Sequence, residues 1–230
     1  MKKIILSLAL FAGLTSAAQA QSGVKFGVKG GFNGATFSGT DSKGSEYKAG
    51  FAAGVLANIG FSDMISVQPE LLYSQKGGSR DGVPYLSGTS IKSDGTAKTT
   101  LGYIDVPLLL KVNAGDAGKG LFFELGPQGS FIMNQRSFIE DGTGKEIGGS
   151  SVTTTDALNK VVLGYAAGLG YQITSGVGVG IRYSGDISQV YKDGGKSVTT
   201  TVGSVTTTTT NPNVRNSVFQ FQVHYLFGGN

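Results

Sequence analysis

The chain has no cysteine, no tryptophan, only five prolines and a single histidine. Past its first twenty residues it also has no apolar run of the length a membrane-crossing helix needs. Without cysteine there is no disulfide framework, no lipoprotein acceptor and no thiolate metal site. Without a run of about 18 apolar residues, helical membrane spans are excluded. Charge of one sign is scarce too: the formal net charge of +4 falls to about +2 once Lys2 and Lys3 are set aside. No Lys/Arg-rich run is present, so nucleic acid is not an expected partner.

What the chain does have begins with a leader. Met1-Lys2-Lys3 is basic, Ile4 to Leu14 is apolar, and Ala18-Gln19-Ala20 has the small-x-small form of a cleavage site. The run is too short to span a bilayer, so residues 1–20 read as a signal peptide and 21–230 as one mature domain outside the cytoplasm.

The mature chain alternates apolar and polar residues in segments of about ten, which is how a strand with lipid on one side and a polar lumen on the other is written. Eight such strands are predicted: Val24 to Phe32, Phe51 to Phe61, Ile65 to Lys76, Thr100 to Val112, Leu121 to Met133, Leu163 to Gln172, Val177 to Asp186 and Phe219 to Phe227. In the fourth, Ile104, Val106, Leu108, Leu110 and Val112 share one face, against Tyr103, Asp105, Leu109 and Lys111. In the eighth, Phe219, Phe221, Val223, Tyr225 and Phe227 oppose Gln220, Gln222 and His224. Links after strands two, four and six are short, whereas the other four are long and polar. That asymmetry is the one between periplasmic turns and external loops, and an even strand number brings both termini to the periplasmic side.

The fold class predicted is therefore all-β, an eight-stranded antiparallel up-and-down transmembrane barrel in the cell outer membrane. A soluble barrel would carry the opposite polarity, with its apolar face inside. Pro69, Pro107 and Pro127 fall within predicted strands, where proline is unusual, so bulges or kinks are expected beside Glu70 and Asp105.

Two stretches carry a family resemblance. Tyr103-Ile104-Asp105-Val106-Pro107-Leu108-Leu109-Leu110-Lys111, preceded by Val67-Gln68-Pro69-Glu70-Leu71-Leu72-Tyr73-Ser74-Gln75-Lys76-Gly77 and a Gly-rich opening strand, resembles the outer-membrane β-barrel proteins of Bacteroidetes described as porin-family or PorT-like. The resemblance covers essentially the whole mature chain. It implies an eight-stranded outer-membrane barrel and brings no catalytic residue.

Lys25, Lys29, Glu70, Lys76, Asp105, Lys111, Glu124, Arg182, Asp186 and His224 share the inward phase. Eight strands enclose a lumen just wide enough for side chains to fill, so these groups are expected to form a salt-bridged plug, with a conducting lumen as the alternative. The inward Gly and Ala of the second and sixth strands leave room for the long side chains opposite. His224 is expected to be a satisfied lumen histidine, since no carboxylate neighbours it in sequence. Asp41, Glu46, Asp81, Asp94, Glu140, Asp141 and Glu146 are scattered through the loops without the spacing of a calcium site, so no metal or cofactor is expected. Glycine clusters such as Gly30-Gly31 lack a following helix, so phosphate-loop readings fail.

The motif Ser-Val-Thr-Thr-Thr occurs at Ser151, Ser197 and Ser204, and Gly203-Ser204 between β-branched runs signals a hairpin. Strands seven and eight are accordingly expected to continue above the membrane as a Thr-rich ribbon, paired with the Ser151 segment. Two functions fit: a monomeric, non-enzymatic barrel whose external loops meet a surface or envelope protein, or a small porin or secretion-accessory barrel.

Overall fold

The computed structural model describes residues 23–115, 119–149, 151–173, 176–202 and 205–228. The expected signal peptide lies outside them. Eight strands close into one antiparallel ring: β1 (Val24–Ser38), β2 (Lys48–Gly60), β3 (Ile65–Ser87), β4 (Ser90–Asn113), β5 (Gly120–Glu140), β6 (Val161–Gln172), β7 (Val177–Asp186) and, after a ribbon, β10 (Arg215–Leu226). Each pairs with its sequence neighbour in the ring, and β1 pairs with β10 to close it. Among the described residues, the ribbon strands β8 (Ser197–Val202) and β9 (Val205–Thr210) pair only with each other.

Burial follows the period of two, and its polarity is inverted relative to a water-soluble core. In β10, Phe219, Phe221, Val223 and Tyr225 are exposed while Gln220, Gln222 and His224 are buried. β4 repeats this, with Val106, Leu108 and Leu110 exposed and Asp105, Leu109 and Lys111 buried. A belt of large exposed apolar side chains continuing around a closed ring is stable only where the surrounding solvent is itself apolar.

The strands outrun the sequence reading on one side of the belt. β3, β4 and β5 extend to 23, 24 and 21 residues, so the expected long link between strands three and four is instead a hairpin that turns at Gly88-Thr89. Glycine at position 88 has φ +63°, which suits this tight turn. Links 61–64, 114–119 and 173–176 remain short and all lie at the opposite end.

The prolines do not produce the expected bulges. Beside Pro69, between Leu56↔Glu70 and Ile59↔Val67, the β2–β3 ladder lapses for two residues and resumes in the same register. The β3–β4 ladder lapses likewise at Pro107, and the β4–β5 ladder at Pro127. A missing N–H removes a rung without adding a residue, so the register survives. The shifts fall elsewhere: between Arg80 and Tyr85 of β3, and in β5, where Asn134 pairs with Gly102 and Ile132 with Tyr103. Skipping Met133 reverses the phase of β5, and Gln135 turns inward.

Candidate functional site: the lumen and its external mouth

The lumen is built in layers from side chains that the strand alternation turns inward. In the central layer Arg182 of β7 reaches the opposite wall. Its Nη1 donates to Glu70 Oε2 of β3 at 2.8 Å, and its Nε donates to Glu124 Oε1 of β5 at 2.7 Å. β3 stands four places from β7 around the ring, so this one side chain crosses the barrel. Lys29 Nζ of β1 donates to Glu70 Oε1 at 2.5 Å. Gln68 and Gln222 satisfy remaining carboxylate lone pairs, donating to Glu70 Oε1 at 2.7 Å and to Glu124 Oε1 at 2.8 Å.

Toward the mouth, Lys76 Nζ lies 3.0 Å from Asp105 Oδ1 and 3.9 Å from Asp186 Oδ1, and it donates to Ser130 Oγ at 2.9 Å. Asn216 donates to Asp186 Oδ2 through Nδ2 at 2.6 Å, and Lys76 sits 4.9 Å from the centre of the Tyr103 ring. Toward the short turns, Lys111 Nζ lies 4.1 Å over the Phe122 ring and donates to Gln172 Oε1 at 3.3 Å. His224 Nε2 lies 2.9 Å from the same oxygen, and the Phe122 ring meets its imidazole edge to face. His224 Nδ1 is buried without a hydrogen-bond partner.

Nine of the ten residues assigned to the lumen from sequence are therefore buried together, four cations and four carboxylates with His224. The exception is Lys25. It holds the inward phase but is only half-buried near the short-turn end, and it forms no ion pair or hydrogen bond with another described residue. As the second residue of β1, it stands at the rim, where water solvates an ammonium better than the lumen would.

The inward glycines make the network possible. A Cβ added at Gly168 would lie 2.8 Å from Glu124 Oε1, and one at Gly178 would collide with the His224 ring. Among the described residues, no group of three or more His, Asp or Glu converges as a metal site would.

Sequence reasoning missed the closure at the mouth. Leu158, Val190 and Val214, from the two last external links, are buried against Leu101, Tyr103 and Val162 of the wall. Leu158 pairs with Tyr191, and Val190 N donates to Val214 O at 2.9 Å, so the links fold over the barrel as an apolar lid. The lid also corrects the expected ribbon. β7 and β10 do not continue into β8 and β9, because residues 187–196 and 211–214 turn inward first to bury Val190 and Val214. Nor does the Ser151 segment join the ribbon: Val152 pairs with Ser137 of β5. Isolated apolar residues in Gly/Ser/Thr-rich links were the only sequence signal for the lid.

An eight-stranded closed ring with an apolar outer belt, a polar interior and short turns at one end defines a transmembrane β-barrel of the outer-membrane type. The family described as outer membrane protein beta-barrel domain matches residues 17–191, most of the chain, and the protein belongs to that family and to the cell outer membrane. No curated protein matches the chain significantly. Among solved structures, Ail of Yersinia pestis is 12% identical, with 90% of this chain and 100% of that one aligned at a TM-score of 0.42. Neisserial surface protein A is 17% identical over 89% of this chain and 99% of that one, at 0.43. OprG of Pseudomonas aeruginosa is 12% identical over 90% and 97%, also at 0.43.

Proposed function

We propose that the protein is a non-conducting, non-enzymatic outer-membrane barrel whose work is done by its external loops, in contact with a surface or envelope protein partner. One observation carries this reading: Arg182 spans the lumen between two carboxylates while the apolar lid lies above it, so the cross-section is occupied by buried protein at two levels. A path for solute would have to break buried ion pairs as well as the lid. The signal peptide is removed after Ala20, and amino-terminal sequencing of protein recovered from outer membranes should begin at Gln21.

In planar bilayers the purified monomer is expected to give no stable, large channels. Regular unitary currents from a monomer would overturn the reading and favour the second one, a small porin or secretion-accessory barrel. The resemblance of Val67–Gly77 and Tyr103–Lys111 to PorT-like proteins supports that second reading.

A further inference from the structure

The external mouth holds a cavity that neither the lumen network nor the lid accounts for. The link between β1 and β2 crosses the mouth as a strap tied at both ends. Glu46 N donates to Ser79 O of β3 at 2.7 Å, and Asn213 N donates to Asp41 Oδ2 at 2.7 Å. Gly78 permits the first tie, since a Cβ there would lie 2.9 Å from the Phe37 ring and 3.0 Å from Ser45 Oγ.

Beneath the strap is a cavity of about 180 Å³. Phe37, Tyr191 and Val214 give it an apolar wall that it shares with the lid. Two opposite charges, Asp41 and Arg80, both exposed to solvent, stand at its rim and form no ion pair with each other. Each is held by a single anchor, Asp41 by the Asn213 amide and Arg80 by the Lys43 carbonyl. Asp41 Oδ1, the remaining Arg80 donors and the Tyr191 hydroxyl have no hydrogen-bond partner among the described residues.

We propose that this cavity binds a small zwitterion with an apolar side chain, an α-amino acid. Its ammonium meets Asp41, its carboxylate takes the fork of N–H donors that a guanidinium offers, and its side chain lies on Phe37, Tyr191 and Val214. A simple anion would face the Asp41 carboxylate, and a neutral sugar would use neither charge.

The test titrates L-phenylalanine into the purified full-length barrel in detergent micelles, followed by NMR shifts of the strap amides and by calorimetry. Saturable binding is expected. N-acetyl-L-phenylalanine and L-phenylalaninamide, each lacking one charge, should bind about tenfold more weakly or worse. Asp41→Asn keeps an oxygen to accept from Asn213, and Arg80→Gln removes the guanidinium with its exposed bond to the Lys43 carbonyl, so both variants should retain heat-modifiable gel migration while losing about tenfold or more in affinity. Absence of saturable binding would overturn the proposal, as would capped probes binding as tightly as the free amino acid, or glucose binding in its place.

Discussion

At the scale of single residues, the lumen shows how strongly partner number governs the cost of a buried charge. Arg182 alone joins Glu70 to Glu124, so Arg182→Met leaves two buried carboxylates with too few cations and should cost about 3–5 kcal/mol, read from urea unfolding in detergent micelles. The same change at Arg136, whose pair with Glu146 is exposed, should cost less than about 1 kcal/mol. Outside the membrane, Asp141 shows a local effect of pH. Its carboxylate accepts from the Thr143 hydroxyl and from the Thr143 and Lys145 amides, which holds it below the ordinary carboxylate range. A lowered folded-state pKa means the turn keeps this support above the ordinary range and loses it as pH falls through the lowered value. NMR titration should show the Thr143 and Lys145 amides moving together at that lower pH, and movement at the ordinary carboxylate pH would contradict it.

At the scale of elements, alternation was legible wherever both faces had a consistent solvent. β7 matches its sequence-predicted bounds, Val177 to Asp186, because Ile181 and Arg182 meet lipid and lumen without interruption. The outer halves of β3, β4 and β5 were not legible, since beyond the belt both faces meet water and Ser, Thr and Gly alternate with nothing. The bulge at Met133 was also hidden, because the extra residue continues the apolar pair Phe131-Ile132. The lid and ribbon separate cleanly. Among the described residues β8 and β9 pair only with each other, so deleting residues 197–210 should leave heat-modifiable migration and the unfolding midpoint essentially unchanged. A deletion that abolishes folding would show that the ribbon supports the barrel.

At the scale of the whole molecule, two solvents meet in one wall only a single strand thick. The belt and the network differ only in which side of the strand a residue takes, so position rather than composition sets the cost of a charge. Leu125 lies about midway up the belt and is exposed to lipid, while Glu124 beside it is buried in the network. Leu125→Arg should therefore cost about 2–4 kcal/mol in reversible unfolding from bilayers, falling toward zero for the same change at the rims. An equal cost at both depths would contradict the placement of the belt.

The amino-acid sequence by itself determined the strand count, the lipid and lumen faces, the end that carries the short turns and nine of the ten buried lumen residues. Each follows from a period of two within strands or from the lengths of the links between them, both of which are local properties of the chain. Only the tertiary structure decided which charges pair across the barrel, that Lys25 stays at the rim, that the prolines interrupt rungs without shifting register, and that Leu158, Val190 and Val214 pack against Leu101, Tyr103 and Val162. Those outcomes depend on contacts between residues far apart in the chain, whose geometry exists only once the ring has closed.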